Sequence, residues 1–371
     1  MKQRFKKHVA LTLISLMLLS LIGCGKPAST DTTTTTEAAV TEAPAASISD
    51  AATTADSTPA DANEESSDAQ TVYPVTVTDQ AGREVTIEKE PESIVSGYYI
   101  STSLLLALGL KDKVTGIEAK ADKRPIYKLA APEFLELPNV GTAKEFDLET
   151  CASLSPELVI LPMKLKDAAQ SLSELDIPVL LVNPESEDQL EQMIELVSTA
   201  TNTKGNADAL LSYIDEKKEM LEKDLSGVDA KSVYLAGNSS LLSTAGPAMY
   251  QSGLIELAGG KNAASEITDT YWAEISYEQL LAWDPSYIIL ASDAEYTPED
   301  VLNDENLKEC TAVKNGDVYA IPGDIEALDS PVPGGILASI WLAGILHPDQ
   351  VSADMYTEEK AAFYETFYGI K

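Results

Sequence analysis

The chain reads DLETCASLSPELVIL at residues 147–161 and SYEQLLAWDPSYIIL at residues 276–290. Each segment has a polar start, a glutamate at its third position, a short apolar stretch, a proline, and an apolar run that favours β-structure. Glu149 and Glu278 are 129 residues apart, and the two prolines have the same separation. A helix–proline–strand unit therefore occurs twice with no insertion between matching positions, which indicates two halves of similar structure.

Strand and helix patterns alternate in both halves of the chain. Alternation of this kind is typical of parallel sheets flanked by helices. Between the halves, residues 204–226 form one helical pattern, about 35 Å long at 1.5 Å per residue. We therefore predict an α/β fold with two Rossmann-like lobes, residues 72–203 and 227–371, joined by this single long, rigid helix.

The N-terminal residues indicate export. Four basic residues precede a short apolar run, the pattern of a secretory signal peptide, which we assign to residues 1–23. The end of this run, LIGC, resembles the lipobox of bacterial lipoproteins, in which the cysteine, here Cys24, is lipidated. The alternative is an ordinary cleaved signal with an incidental cysteine. Lipidation would hold the protein on the extracytoplasmic face of the cell membrane.

Residues 24–71, which follow the signal peptide, are rich in Thr, Ala and acidic residues. Such a segment buries too little apolar surface to fold, so we predict a disordered acidic tether that begins at the lipidated cysteine. The net charge of −34 argues against nucleic acid as a partner, because its phosphates require a basic surface. The membrane would be reached through the lipid.

Cysteine and histidine are scarce in the mature chain. Cys151 and Cys310 fall in different halves, and we expect two small buried thiols. His347, in GILHPDQ, is expected to be solvated in a loop after a helix. A single histidine excludes a His-rich zinc or manganese site, so we predict no metal site made by the protein and no cofactor.

The order and spacing of several phrases resemble the class III substrate-binding proteins of ABC importers, the iron-siderophore and vitamin B12 type. The resemblance covers residues 73–371, the whole predicted folded part. It is carried by TVTDQAGREVTI, IVSGYYISTSLLLALGL, LPNVGTAKEFDLETCASLSPELVIL, ISYEQLLAWDPSYIIL, VKNGDVYAIPG, WLAGILHP and FYETFYGI.

This resemblance implies a ligand cleft between the lobes and a role without catalysis. It also implies that Glu149 and Glu278, one per lobe, dock into arginine pockets of the permease dimer, which works with its ATPase. We expect a monomer that delivers a small molecule to this importer. An extracellular enzyme on the same scaffold is the less favoured alternative.

We expect the pocket residues to come from loops that follow strands in both lobes. Trp272 aligns with a tryptophan that lines the cleft of the vitamin B12-binding relative. Lys144 and Lys164 are candidates for contact with anionic groups. The predicted ligand-binding residues are Tyr98, Tyr99, Ser101, Thr102, Lys144, Lys164, Ser239, Tyr271, Trp272 and Asp324.

The small number of arginines guides the prediction of the cargo. Arg83 and Arg124 are the two arginines after the signal peptide, which disfavours a polyanionic ferric catecholate. We predict a bulky, near-neutral metal chelate, either a ferric hydroxamate or a corrinoid. Two alternatives remain. Haem would use axial ligands drawn from Tyr98, Tyr99, Met163 or Met249. An oxyanion such as molybdate would be bound by Ser101, Thr102, Ser239 and Lys164.

Overall fold

The computed structural model describes residues 70–268 and 270–371. The predicted signal peptide, the predicted lipidation site Cys24 and nearly all of the predicted tether lie outside the described residues. Within the described part of the chain, every helix is too short or too polar to cross a membrane.

The folded part begins with a hairpin, which the alternating residues on both sides of the DQAG turn predict. Strands β1 (Val75–Thr78) and β2 (Glu84–Ile87) pair antiparallel around a turn. The buried Asp79 carboxylate holds this turn, because it accepts hydrogen bonds from the Arg83 side chain at 2.7 Å and from the Leu181 backbone at 3.0 Å. The hairpin is thereby fixed to the edge of the first sheet.

The N-terminal lobe contains a four-stranded parallel sheet in the order β4-β3-β5-β6. Its central strands are fully buried because helices cover both faces. The strands are β3 (Ile94–Ser96), β4 (Val114–Gly116), β5 (Leu158–Pro162) and β6 (Val179–Val182). The helices are α1 (Tyr99–Ala107), α2 (Pro125–Ala130), α3 (Leu148–Ser153), α4 (Lys166–Ser173) and α5 (Glu187–Thr201).

The C-terminal lobe repeats this plan and adds a two-stranded antiparallel sheet of β8 and β10. Its parallel sheet has the order β12-β11-β7-β9. The strands are β7 (Lys231–Ala236), β8 (Ser243–Ala245), β9 (Gly260–Asn262), β10 (Trp272–Glu274), β11 (Tyr287–Leu290) and β12 (Val318–Ala320). The helices are α7 (Tyr250–Leu257), α8 (Tyr277–Trp283), α9 (Pro298–Leu302), α10 (Thr311–Asn315), α11 (Ile336–Leu346) and α12 (Ala353–Tyr368).

The two parallel sheets share one topology. Counting the parallel strands of each lobe in chain order, both sheets run second, first, third, fourth. Helix α3 leads into the third strand of the first sheet, and α8 leads into the third strand of the second. The repeat in the sequence thus corresponds to the same structural unit at the same place in each lobe.

Helix α6 (Lys204–Asp224) joins the lobes, as predicted, and its 21 residues span about 32 Å. Both the charged and the apolar side chains of this helix contact the two lobes. Lys218 pairs with Glu191 of α5 at 2.7 Å, and Lys217 pairs with Glu359 of α12 at 3.0 Å. One continuous apolar core runs along this helix into both lobes.

Two expectations about single residues can be compared with the structure. Cys151 and Cys310 are free, buried thiols, as predicted. His347 is not solvated, because only 5% of its surface is exposed and its Nε2 lies 3.0 Å from the carbonyl oxygen of Gly259. The prediction for His347 was wrong because the loop after α11 packs back against the turn before β9.

Candidate functional site

A cleft of about 760 Å³ lies between the lobes, at the carboxyl ends of their parallel strands. The first lobe lines it with the loops after β3 and β4, and the second lobe lines it with residues 293–295 after β11. In parallel α/β sheets, loops at this edge lie next to the point where the strand order reverses, which is where ligands bind. The topology therefore places a binding site here.

Two tyrosines form the aromatic wall of the cleft. The rings of Tyr98 and Tyr99 meet edge to face with centroids 5.4 Å apart. The hydroxyl of Tyr99 donates to Ser330 Oγ at 2.8 Å, a contact between the first lobe and the segment that follows β12. Burial raises the pKa of both tyrosines, so they present neutral rings and hydroxyls to the cleft.

Basic and acidic residues line the cleft in equal number. Arg124 lies over the ring of Tyr99, with its guanidinium carbon 4.0 Å from the ring centroid, and it pairs with Asp293 of the opposite lobe at 3.8 Å. A cation on an aromatic face retains its charge while its flat surface is covered. The six charged residues of the cleft are Lys120, Lys123, Arg124, Glu118, Asp293 and Glu295.

Glu118 lies on the floor of the cleft with 7% of its surface exposed. Its Oε1 accepts a hydrogen bond from the Tyr127 hydroxyl at 2.6 Å, and its Oε2 accepts one from Thr102 Oγ1 at 2.7 Å. Burial raises the pKa of Glu118, while these two hydroxyls and the charge of Arg124 act in the opposite direction.

A small cavity of about 20 Å³ lies behind Arg124 and is lined by both lobes. Its buried acid, Glu326, accepts hydrogen bonds from Ser103 of α1 and from the hydroxyl of Tyr364 at 3.1 Å. Ser103 is also 2.9 Å from the Tyr368 hydroxyl. Burial raises the pKa of Glu326 to about 7, although the hydrogen bonds from Ser103 and Tyr364 and the charge of Arg124 act in the opposite direction.

Ser101 and Thr102 are not on the cleft surface. Both are fully buried, and Ser101 Oγ donates to the Tyr98 carbonyl at 2.8 Å. The run STS at residues 101–103 predicts a helix start near these residues, because Ser and Thr are common N-caps. Helix α1 begins instead at Tyr99, so both residues lie inside its first turn and point into the lobe. Neither side chain lines the cleft, and both hydroxyls lie within hydrogen-bond distance of the Tyr98 carbonyl, where they support the start of α1.

Four more predicted ligand residues have exposed side chains that do not line the cleft. Lys144 follows the cleft residue Ala143, and Lys164 lies in the turn after β5. Asp324 pairs with Lys360 of α12 at 2.6 Å, which directs it toward the C-terminal helix. The exposed residues are Lys144, Lys164, Ser239 and Asp324.

Tyr271 and Trp272 are exposed aromatic residues at the start of β10, with exposed fractions of 57% and 40%. The Trp272 ring packs over Gly237, where a Cβ would lie only 3.1 Å from the ring. The backbone of Glu295, a cleft residue, donates to the carbonyl of Asn238 at 2.8 Å. Trp272 therefore stands beside the second lobe's wall of the cleft.

Sequence reasoning missed most of the charged cleft residues. Arg124 was noted only as one of two arginines after the signal peptide. The other charged residues of the cleft were not singled out: Glu118, Lys120, Lys123, Asp293 and Glu295. Their position in the sequence could have indicated two of them, because Glu118 and Asp293 follow the ends of parallel strands by two and three residues.

The repeated glutamates lie on the surface in equivalent positions. Glu149 and Glu278 are both exposed and both are the second residue of their helix. Asp147 caps α3 by accepting from the Thr150 backbone at 2.9 Å, and Ser276 caps α8 by accepting from Gln279 at 3.2 Å. Hydrogen bonds from its own backbone and from Ser276 lower the pKa of Glu278, so its carboxylate stays charged.

No group of three or more His, Cys, Asp or Glu side chains is placed to hold a metal ion in the part of the chain that the structure describes. The sulfur residues considered for haem differ in exposure: Met249 is buried, with an exposed fraction of 7%, and Met163 is partly exposed. Neither residue lines the cleft.

This combination of two α/β lobes and an interlobe cleft defines a class, the bilobed substrate-binding proteins. The family model described as periplasmic binding protein matches residues 94–325. The chain therefore belongs to the periplasmic binding protein family. Its relatives in this family include substrate-binding proteins of ABC transporters.

Three relatives illustrate the match. The uncharacterized ABC transporter substrate-binding lipoprotein YvrC of Bacillus subtilis is 29% identical over 273 residues, covering 70% of this chain and 82% of YvrC. The molybdate-binding protein MolA of Haemophilus influenzae is 24% identical over 319 residues, covering 79% of this chain and 90% of MolA. A cobalamin-binding protein of Halobacterium salinarum is 21% identical over 74% of each chain.

The fold is also that of a solved relative. The structure of MolA bound to molybdate superposes with a TM-score of 0.71 at 22% identity, covering 80% of this chain and 98% of MolA. This likeness confirms the predicted two-lobed α/β architecture.

Proposed function

We infer that this substrate-binding protein is lipid-anchored through Cys24 and captures a bulky, near-neutral metal chelate, either a ferric siderophore or a corrinoid, for delivery to an ABC importer. The observation that carries the inference is the cleft itself, about 760 Å³ with opposite charges in equal number. Pockets of 300–1,000 Å³ are typical for ligands of several tens of atoms.

Size argues for a chelate over a small ion. At about 30 Å³ per water molecule, the cleft has room for roughly 25 waters. A tetrahedral oxyanion of five atoms would leave most of that volume to solvent, so few of the lining residues would contact it. A chelate would reach both lobes and contact the tyrosine wall.

Charge argues against a strongly anionic chelate. Lys120, Lys123 and Arg124 are opposed by three acids, and one of these, Asp293, already pairs with Arg124 at 3.8 Å. A polyanionic ferric catecholate would need several unpaired cations to offset its desolvation. A near-neutral ligand needs none, because the rings of Tyr98 and Tyr99 supply contact area without charge.

Haem is less well supported than the other chelates. An axial tyrosine binds iron as its anion, whereas burial raises the pKa of Tyr98 and Tyr99 and disfavours that anion. Tyr99 also uses its hydroxyl to donate to Ser330 at 2.8 Å. Tyr98 and Tyr99 are therefore better suited to contact a ligand through their rings than to bind a metal through their hydroxyls.

Molybdate is the second candidate, because one relative is a molybdate-binding protein with a closely similar fold. The residues expected to bind it do not converge, however. Ser101 and Thr102 are buried inside α1, while Ser239 and Lys164 are exposed outside the cleft. An oxyanion would have to rely on Lys120, Lys123 and Arg124 instead.

Delivery would use one glutamate on each lobe. Glu149 and Glu278 project from equivalent first turns on the surface, where they are free to meet a basic partner. Two carboxylates on two similar lobes suit a permease dimer with two similar subunits, and exposed charge pairs favour fast, reversible docking.

The cargo is tested by metal analysis and mass spectrometry of the small molecule released from the purified protein. We expect one metal chelate per protein chain. Release of molybdate, or of haem, would replace the proposed ligand while leaving the transport role. The anchor is tested separately: Cys24→Ser is expected to shed the protein from the membrane fraction, whereas Cys151→Ser is not.

A further inference from the structure

Glu118 is a buried acid on the floor of the cleft. Its exposed fraction is 7%, and it lines the cleft after β4. Among residues 70–268 and 270–371, no Lys or Arg nitrogen lies within 4.0 Å of its oxygens, and the nearby Arg124 pairs with Asp293 instead. A buried carboxylate without a counter-ion is costly unless other groups donate to it.

The hydrogen bonds around Glu118 make it an acceptor. The Tyr127 hydroxyl donates to Oε1 at 2.6 Å. Its proton therefore points at Glu118. Thr102 Oγ1 donates to Oε2 at 2.7 Å. The backbone N–H of Glu118 is a third donor to its carboxylate. The two oxygens together have about four lone pairs, so acceptor capacity remains beside the cleft.

The cleft around this acid presents cations at more exposed positions. Lys120 and Lys123 have exposed side chains, and Arg124 is partly exposed. Ligand oxygens are therefore best placed toward these cations, while the floor at Glu118 is suited to a donor. A ligand oxygen placed there would lose its hydrogen bonds to water and would face only the acceptor oxygens of Glu118, which is unfavourable.

We propose that Glu118 determines specificity by accepting a hydrogen bond from an N–H group of the cargo, an ammonium or a primary amide, and by disfavouring cargo whose surface offers only acceptor oxygens. The proposal rests on the proposed function and adds a chemical requirement to its ligand. A corrinoid carries primary amides at its edge, and the ferric trihydroxamate ferrioxamine B carries an ammonium. Molybdate and haem offer only oxygens at their periphery.

The test uses the purified full-length protein and isothermal titration with four probes: cyanocobalamin, ferrioxamine B, molybdate and haemin. We expect at least one of the first two to bind. Glu118→Gln should weaken that binding about 10- to 100-fold, the effect of losing a charge-assisted hydrogen bond. Glu299→Gln is the matched control, because it removes the same charge from an exposed position that does not line the cleft, and it should change the affinity less than about 3-fold.

A second variant tests how Glu118 is held. Tyr127→Phe removes one donor and keeps the ring, which packs in the core. Because that hydroxyl lowers the pKa of Glu118, its loss should shift the fall in affinity on acidification to higher pH. A purely structural role of Tyr127 would weaken binding without moving this pH profile. The variant also covers the case in which Glu118→Gln fails to fold.

The contrary outcomes are distinguishable. If a donor-bearing probe binds and Glu118→Gln has the same affinity as Glu299→Gln, the role of Glu118 is wrong and the chelate function stands. If only molybdate or haemin binds, this inference and the near-neutral chelate both fail, while the transport role remains. If none of the four binds, the ligand class itself is wrong, and the requirement for an N–H donor falls with it.

Discussion

Glu149 on α3 and Glu278 on α8 occupy the same position in the two lobes, the second residue of the helix that leads into the third parallel strand of each sheet. Both side chains are exposed, and each helix is capped by the side chain two residues earlier, Asp147 or Ser276. The repeat seen in the sequence thus gives the molecule one equivalent carboxylate per lobe.

The double variant Glu149→Ala/Glu278→Ala should lose stimulation of the importer's ATPase in reconstituted membranes while retaining ligand affinity. Neither side chain contributes to the cleft, so binding has no reason to change. Glu88→Ala/Glu299→Ala, which removes one exposed glutamate from each lobe elsewhere, is the control and should stimulate normally. Weakened ligand binding in the first double variant would contradict a docking role.

Glu326→Gln should make the protein more stable at pH 8 and leave it nearly unchanged at pH 4. Because the folded pKa is about 7 and the ordinary value is 4.5, the folded state binds this proton more tightly than the unfolded state does. The contribution of Glu326 to the free energy of unfolding therefore falls as pH rises from about 4.5 to about 7 and is constant above that. The difference should reach the order of 3 kcal/mol.

Urea denaturation at several pH values measures this effect. The exposed Asp324 is the matched control, and Asp324→Asn should show no such gain with pH. A Glu326→Gln variant whose stability runs parallel to the wild type across this range would show that Glu326 titrates normally.

Ligand binding should quench the fluorescence of Trp272, because its exposed ring stands beside the second lobe's wall of the cleft. Trp272→Phe should abolish the quenching, and Trp341→Phe, a change within α11, should preserve it. Steady-state emission during titration with the cargo identified by mass spectrometry provides the measurement. Quenching that survives Trp272→Phe would place the ligand elsewhere.

Ser101→Ala should lower the free energy of unfolding by about 1 kcal/mol without changing ligand affinity. The buried hydroxyl donates to the Tyr98 carbonyl at 2.8 Å and lies 2.7 Å from Ser96 Oγ, away from the cleft. Ser239→Ala, at an exposed loop position, should leave stability unchanged. Chemical denaturation and calorimetric titration together test the assignment, and a weaker ligand affinity with intact stability would restore Ser101 to the binding surface.

The local patterns predicted much of the fold. The hairpin around Asp79, the helix α6 and the duplicated helix–proline–strand unit all rest on periodicity and turn residues, which act over a few positions. The start of α1 was misplaced because Ser101 resembles an N-cap, yet Tyr98 holds that position without a side-chain cap. His347 was misjudged because its partner, Gly259, is distant in sequence.

The sequence by itself determined the two-lobed α/β class, the connecting helix and the pair of surface glutamates, because each depends on residues that are neighbours along the chain. Only the tertiary structure decided which side chains form the cleft. Glu118, Arg124 and Asp293 meet there because parallel strands bring the ends of distant segments to one edge and two lobes face each other across it. Burial and charge pairing at that edge depend on this convergence, and no local pattern encodes it.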